Sequence, residues 1–288
     1  MSTLLRTPGV TPAPAAPVET VLDGRRTPLA DSLRELWRFR DLVLLLTLRD
    51  IKLRYRTTAV GAAWAVVQPL LTMVVLVGFA RLFGVSGERV PYPLFLISGL
   101  VPWTYFTHGL TQATHSILSH EYLLDKVYFP RVVLPLAAVL GGLVDFLTAA
   151  VLVPLFMVYF GVVPSIAAVT IPLFVFLAVG ASLGLGLWLA VLNVRYRDVG
   201  NMLPFVTQLL FFATPISYPM SAIPERYHLA AGLNPMTGMV EGFRWALFGQ
   251  AGEALPGAVW VSIAMSCLLL VSGFWFVLRE QDVIGDSL

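Results

Sequence analysis

Six long apolar stretches limit what this chain can fold into more than any other feature of its sequence. They lie at residues 59–80, 94–113, 132–160, 165–192, 199–216 and 256–278. A helix crosses the hydrocarbon core of a bilayer with roughly 17–25 residues, so these stretches match the length of one span. The fifth is short and contains Pro204 and Pro215, which suggests a broken or partial span. Charged residues make up only 12% of the chain, about half of their share in soluble domains. The pattern predicts an all-α, polytopic membrane protein with six transmembrane helices.

The N-terminal region differs from the rest in composition and divides into two parts. Residues 1–30 are rich in Pro, Ala and Thr and contain no apolar run, so we expect a disordered tail without a signal peptide. Residues 31–57 are expected to form a cytoplasmic amphipathic helix at the membrane interface, followed by a basic linker that is helical or irregular. An ordinary packing helix would show the same amphipathic pattern, and that alternative stays open. Residues 58–288 then form the six-span domain.

Basic residues are distributed unequally between the segments that connect the spans. Ten of the 19 Lys and Arg residues precede residue 57. If the N-terminus lies inside, the other cytoplasmic basic residues are Lys126, Arg131, Arg195, Arg197 and Arg279. The opposite side then carries Arg81, Arg89, Arg226 and Arg244. Because cytoplasmic loops of membrane proteins are enriched in Lys and Arg, this excess predicts that both termini are cytoplasmic.

The segment 217–255 lies on the opposite side and is only weakly polar. Its apolar residues Met236, Val240, Phe243 and Leu247 are spaced as on one face of a helix. We expect one or two short re-entrant helices before the last span, dipping into the outer leaflet. A helix that lies on the membrane surface is the alternative.

Three patterns that resemble reactive sites have simpler interpretations. Gly180–Gly184 matches G-x-S-x-G, but it lies within an apolar stretch, where small residues favour close helix packing over a nucleophile elbow. His108, His115 and His120 lack the spacing of a metal site. Asp145 is the one carboxylate deep within a predicted span. Because no charged residue accompanies it in the other spans, we expect a protonated or hydrogen-bonded packing residue rather than a proton relay.

The chain also has no phosphate-binding loop. Its two lysines, Lys52 and Lys126, follow Ile51 and Asp125, so no G-x-x-x-x-G-K-[ST] motif exists. The single Cys267 allows no disulfide within one chain and no cysteine metal site. We therefore expect no cofactor in this chain, and any ATP must be bound by another subunit.

Four stretches, taken in their order and spacing, resemble a known family. They are Arg49–Arg56 with Val60–Trp64 and Gln68–Leu70; Phe129–Arg131 with Pro135; Asn193–Asp198; and Thr214–Pro219 with Asn234–Pro235. With them, residues 31–288 are similar to the permease subunits of ABC exporters for O-antigen, teichoic acid, capsule and related cell-surface polysaccharides. Val60 stands where that family often has Leu.

The resemblance implies a transport subunit of the bacterial inner membrane rather than an enzyme. Two copies would form a homodimer and associate with two nucleotide-binding subunits, which would carry ATP and Mg²⁺. The substrate would be a lipid-linked polysaccharide, and no nucleic acid would be involved. The loop Ser116–Tyr128 would be the coupling helix, with Glu121, Tyr122, Asp125 and Lys126 contacting the nucleotide-binding subunits.

Aromatic and amide side chains are candidates for a glycan path, because flat rings and hydrogen-bonding groups suit the faces and hydroxyls of sugars. The candidates on the first and fifth spans, and just after the fifth, are Trp64, Gln68, Phe205, Gln208, Phe211, Phe212 and Tyr218. Aromatic residues that face lipid or pack between helices would give the same pattern. Two other classes of protein are alternatives. An integral-membrane enzyme acting on lipid-linked sugars would need clustered polar groups, and a secondary transporter would need ion-coupling residues.

The charge distribution leads to a labelling prediction. On a Cys267→Ser background, cysteines placed at Lys126 or Tyr196 will not react with a membrane-impermeant maleimide added to intact cells. A cysteine at Arg226 will react, because that residue lies on the opposite side. Labelling of either cytoplasmic position from the periplasm would contradict the predicted orientation.

Overall fold

The computed structural model describes residues 29–56, 61, 63–83, 90–124, 126–249 and 256–280. These residues form helices and connecting turns, with no strand among them, as expected where each segment must pair its own backbone N–H and C=O groups. The helices are α1 Leu29–Arg38, α2 Arg40–Arg56, α3 Ala63–Phe83, α4 Tyr92–Ser116, α5 Glu121–Leu124, α6 Val133–Ala150, α7 Leu152–Phe160, α8 Ile171–Arg195, α9 Asp198–Ala213, α10 His228–Gly232, α11 Pro235–Phe248 and α12 Gly257–Arg279. Nearly all of the predicted tail 1–30 lies outside the described residues.

The all-α prediction is confirmed for the described residues, and among them four helical segments are long and apolar enough to cross a membrane. These are Ala63–Leu82, Val133–Phe160, Ile166–Arg195 and Gly257–Arg279. Two further helices correspond to the remaining apolar stretches. The 25 residues of α4 are sufficient in length but include several polar side chains. The 16 residues of α9 fall just short of the roughly 17 needed for a span. The span count of six stays a prediction.

Helix α8 lies at the centre of the bundle, in contact with α4, α6, α9, α11 and α12. Its small residues allow this packing. A Cβ atom on Gly184 would lie 2.5 Å from the backbone nitrogen of Leu270, and one on Gly273 would lie 2.4 Å from the carbonyl oxygen of Gly184. On another face, a Cβ atom on Gly186 would lie 2.6 Å from that of Ala113 in α4. The interpretation of this stretch as a packing surface is confirmed.

Helix α2 runs beside α6 in the same direction. The Thr47 hydroxyl donates to the carbonyl oxygen of Ala137 at 3.3 Å, and eight residues further along, Tyr55 donates to Asp145. Since both pairs are separated by 90 positions in sequence, the two helices advance together. The basic segment 49–56, for which helix and irregular linker were both open, is helical. It extends along α6 as far as Asp145.

The segment between α9 and α12 is organised around one buried cation, Arg244. Its guanidinium donates to the carbonyl oxygens of Pro215 at 2.6 Å and Ile216 at 2.7 Å and to that of Phe95 at 3.1 Å. It also pairs with Glu241 at 3.0 Å and lies 3.6 Å from the centre of the Phe95 ring. A buried charge is tolerated only with such partners. Arg244 therefore joins α11 to α4 and to the turn after α9.

Asn234 completes this arrangement. Its side-chain oxygen caps α11 by accepting from the Met236 backbone N–H at 3.0 Å, and its amide donates to the Thr214 hydroxyl at 2.8 Å. The Thr214–Pro219 and Asn234–Pro235 stretches thus hold each other in place. The short helices predicted before the last span exist as α10 and α11, and their depth in the bilayer stays a prediction.

The close approach of α8 and α12 predicts a stability difference between two glycine substitutions. Gly184→Ala will lower the melting temperature of the purified protein by several degrees, because a new methyl group in a tightly packed interface costs about 1–3 kcal/mol. Gly78→Ala in α3 is the matched control, since a Cβ there meets nothing within 4 Å. Equal melting temperatures for the two variants would contradict this packing.

Candidate functional site

A cavity of about 430 Å³ lies where the end of α2 and the start of α3 meet α4 and α6. We call it the polar cavity because the ion pair of Arg54 and Asp145 lies in its otherwise mainly apolar wall. It is lined by Arg54, Tyr55, Gly61, Trp64, Ala65, Gln68, Thr104, Tyr105, His108, Gly142, Asp145, Phe146 and Ala149. Pockets that bind small ligands in proteins have volumes of about 300–1,000 Å³ and place a few polar groups on a mainly apolar wall. This cavity has both properties.

Asp145 is the centre of the cavity's hydrogen-bond network. One carboxylate oxygen accepts from the guanidinium of Arg54 and the other from the hydroxyl of Tyr55. The Nε2 atom of His108 lies 3.8 Å from Asp145 Oδ2, which is too long for a hydrogen bond. The side chains of Arg54 and Asp145 are 25% and 20% exposed, so the ion pair is largely shielded from water.

Asp145 is confirmed as a hydrogen-bonded residue, but its charged partner is not apparent in the sequence. Arg54 belongs to the basic segment before the first span and is 91 residues away. The two meet because α2 follows α6 in parallel. One signal in the sequence was available: a carboxylate within a span requires a partner, and a basic segment next to a span is a source of one.

The predicted path residues separate into two groups in the single chain. Trp64 and Gln68 on α3 line the polar cavity. The candidates on and after α9 do not. Phe211 packs edge-on against Trp103 of α4 with a ring separation of 5.7 Å, and the hydroxyl of Tyr218 donates to the carbonyl oxygen of Phe212 at 3.0 Å.

The remaining path candidates, Phe205, Gln208 and Phe212, are exposed on the outer surface of α9. They share that surface with Met202 and Leu209. One chain therefore does not bring the α3 and α9 candidates into a common site.

The loop between α4 and α6 holds the predicted coupling residues. Glu121 and Tyr122 belong to α5 and are exposed. The ammonium group of Lys126 lies 3.9 Å from the centre of the Tyr122 ring and contacts its hydroxyl. Asp125 lies outside the described residues. Glu121 also borders a second cavity of about 410 Å³, whose other lining residues are His115, Leu118, Asn193, Arg197 and Asn201.

Asn193 anchors this second cavity and joins three helices. Its amide donates to the carbonyl oxygen of Thr114 in α4 at 3.2 Å, and its side-chain oxygen accepts from the backbone N–H of Gly200 in α9 at 2.9 Å. Asn193 is buried, and these bonds satisfy both ends of its side chain. The Asn193–Asp198 stretch therefore fixes the turn from α8 to α9 against the end of α4.

The same loop is attached to the N-terminal helices. Arg49 of α2 contacts His120, whose other ring nitrogen lies 2.8 Å from the carbonyl oxygen of Ser116. Partial burial and a hydrogen bond to Glu35 of α1 raise the pKa of Tyr128. Phe129 packs with Val43 and Leu46 of α2 and with buried residues at the start of α6. A displacement of the loop would thus be transmitted to α1 and α2.

Comparison with known proteins finds relatives that cover most of the chain. Residues 41–248 match the ABC-2 type transporter family. The chain is 32% identical over 255 residues to the O-antigen export system permease protein RfbA of Myxococcus xanthus, an alignment that covers 86% of this chain and 96% of that protein. RfbA of Klebsiella pneumoniae is 31% identical over 206 residues, covering 71% and 79%. The polysialic acid transport protein KpsM of Escherichia coli is 25% identical over 235 residues, covering 78% and 85%.

The ion pair in the polar cavity predicts a non-additive pair of substitutions. Arg54→Leu and Asp145→Leu will each lower the melting temperature, because each leaves a shielded charge without its partner, at a cost of about 1–3 kcal/mol. The double substitution will lower it by less than the sum of the two, because it removes both charges. Thermal unfolding of the four proteins in one detergent checks this. Simple additivity would show that the pair does not contribute to stability.

Proposed function

We propose that this chain, which belongs to the ABC-2 type transporter family, is the membrane subunit of an ATP-driven exporter of a lipid-linked cell-surface polysaccharide. One observation carries the proposal: nearly the whole length of an O-antigen export permease aligns with this chain. The relative that transports polysialic acid supports a polysaccharide substrate more generally.

The chain is a multi-pass membrane protein, and we assign it six spans in the bacterial inner membrane with both termini in the cytoplasm. The spans are α3, α4, α6 with α7, α8, α9 with the turn that follows it, and α12. The polar residues of α4 are compatible with a span. For example, the hydroxyls of Thr111 and Thr114 donate to carbonyl oxygens four residues earlier, both at 2.8 Å, as hydroxyl groups in membrane helices do. In this topology, α10 and α11 are the re-entrant helices of the outer leaflet.

ATP and Mg²⁺ would be bound by two nucleotide-binding subunits docked on the cytoplasmic side. The loop Ser116–Tyr128 is the proposed contact, since it is short and carries the exposed side chains of Glu121, Tyr122 and Lys126. Its attachment to α1 and α2 through Tyr128 and Arg49 offers a route for the motion. Helix α2 would carry a displacement along α6 to Arg54 and Tyr55, next to the start of α3. A nucleotide-driven movement of the loop would thereby reach the polar cavity.

The polysaccharide path would lie between two copies of this chain. A packed six-helix bundle leaves little room for a hydrated polymer, whereas a seam between identical subunits widens by rigid-body motion without disrupting either core. Exposed apolar faces on α3 and α9 support such a seam. They include Leu71, Val74 and Val75 on α3 and Met202, Phe205, Leu209 and Phe212 on α9. In the dimer, Trp64 and Gln68 of one copy would then face the α9 candidates of the other.

Charge reversal in the coupling loop tests this function. Glu121→Lys will reduce ATP-dependent export of the lipid-linked polysaccharide at least fivefold in proteoliposomes that contain the chain and its ATPase partner, because an exposed contact charge is inverted. Glu225→Lys is the matched control, since Glu225 is also exposed but lies in the segment between α9 and α12. It should leave export within twofold of the wild-type rate.

Two outcomes would overturn the proposal. Robust ATP hydrolysis by the purified chain alone would show that it is not a separate transport subunit. Export that proceeds unchanged without any ATPase partner would place the chain in another class of transporter. Equal export by the two Glu variants would leave the proposed function standing but would place the contact with the partner elsewhere.

A further inference from the structure

We propose that the polar cavity at the junction of α2, α3, α4 and α6 is a binding site for a single neutral sugar residue within each chain. The inference rests on the proposed function, because a lipid-linked glycan is what would bring a sugar to this place. It goes beyond the proposed path between subunits, since the site is formed by one copy alone. The start of α3 lies at this cavity, so a sugar would bind where the first span begins.

The balance of charge in the cavity decides between a sugar and a phosphate. Among the described lining residues, the guanidinium of Arg54 and the carboxylate of Asp145 form an ion pair. A phosphate group would need an excess of cationic donors, as Arg and Lys clusters supply. Here the guanidinium is already neutralised by the carboxylate. A ligand without charge and with several hydroxyl groups fits this arrangement better.

The polar groups of the cavity retain capacity for hydroxyl ligands. Each oxygen of Asp145 accepts one identified hydrogen bond, from Arg54 or Tyr55, and a carboxylate accepts about four in total. Among the described residues, the buried Nε2 atom of His108 has no hydrogen-bond partner. The amide of Gln68 adds donors and an acceptor at the same cavity. Sugar hydroxyls both donate and accept, so they match this mixture of groups.

The walls of the cavity suit the apolar faces of a sugar ring. Trp64 is 57% exposed and lines the cavity beside Gln68, and an indole ring can stack on the face of a sugar. Tyr105 and Phe146 add two further aromatic rings to the wall. Those two rings meet edge to face at 5.5 Å and are therefore held in fixed positions. The volume of about 430 Å³ admits a monosaccharide unit but not a long stretch of polymer.

The position of α2 gives the site a physical means of releasing the sugar. Arg54 and Tyr55 reach Asp145 from the end of α2, whereas Trp64 and Gln68 come from α3 after the connecting segment. A displacement of α2 would therefore change the distance between the hydrogen-bonding wall and the stacking wall. A polymer that must advance requires such weak and reversible binding at each step.

Binding of an amphiphilic glycoside tests the inference. The full chain, purified with its ATPase partner and placed in lipid nanodiscs, is titrated with octyl β-D-glucoside below its micelle concentration, and saturable binding is measured by saturation transfer to the glucose-ring protons. Trp64→Ala and Gln68→Leu will each weaken this binding at least fivefold. The matched controls are Trp260→Ala and Gln112→Leu, which alter exposed residues on α12 and α4 outside the cavity. They should change the affinity less than twofold.

A competition experiment with octyl phosphate, which has the same tail and an anionic head, distinguishes a sugar site from a phosphate site. Octyl phosphate should not displace the glucoside; displacement would identify an anion site or binding of the tail alone and would overturn the inference. Equal affinity in Trp64→Ala and wild type would do the same. These results are independent of export. If the protein exports polysaccharide but shows no saturable sugar binding, the proposed sugar site is wrong and the proposed function stands. If it binds the sugar but exports no polysaccharide, the sugar site stands and the proposed function is wrong.

Discussion

The cost of placing a charge among apolar helices governs how this protein is assembled. An unpaired charge in the hydrocarbon region is unfavourable by several kcal/mol, so each ionised group there must bring a partner with it. Asp145 is satisfied by Arg54 and Tyr55, which draws the end of the N-terminal helix α2 to the middle of α6. The polar cavity, which the end of α2 forms with α3, α4 and α6, follows from this requirement.

Arg244 is a second buried charge whose partners fix the packing around it. It is buried, and three backbone carbonyl groups and Glu241 surround its guanidinium. The carbonyls belong to α4 and to the turn after α9, so a single side chain fixes the geometry of the segment before α12. Between these two charged centres, contact between glycine-containing faces holds α8 against α12 and α4. Around this frame, α3, α9 and the loop around α5 are among the elements that present exposed surfaces.

Much of the architecture could be predicted because it depends on local composition. Apolar stretches of sufficient length predict helices, and small residues around Gly184 predict a packing surface; the structure agrees with both. Long-range partners could not be predicted in this way. Asn193 bonds to Thr114 and Gly200, and Arg54 to Asp145, through contacts that depend on how helices far apart in sequence align. The sequence motifs that contain these residues indicate a family without explaining what each side chain contacts.

The sequence by itself determined that the chain is helical and built for a membrane, and that it contains no G-x-x-x-x-G-K-[ST] phosphate-binding loop. These properties follow from composition and from short motifs, which need no knowledge of neighbours in space. Only the tertiary structure decided that Trp64 and Gln68 share a cavity with Asp145, while Phe205, Gln208 and Phe212 face away from it. The reason is that a cavity is formed by residues from several helices, and their alignment is set by side-chain packing and by the pairing of buried charges.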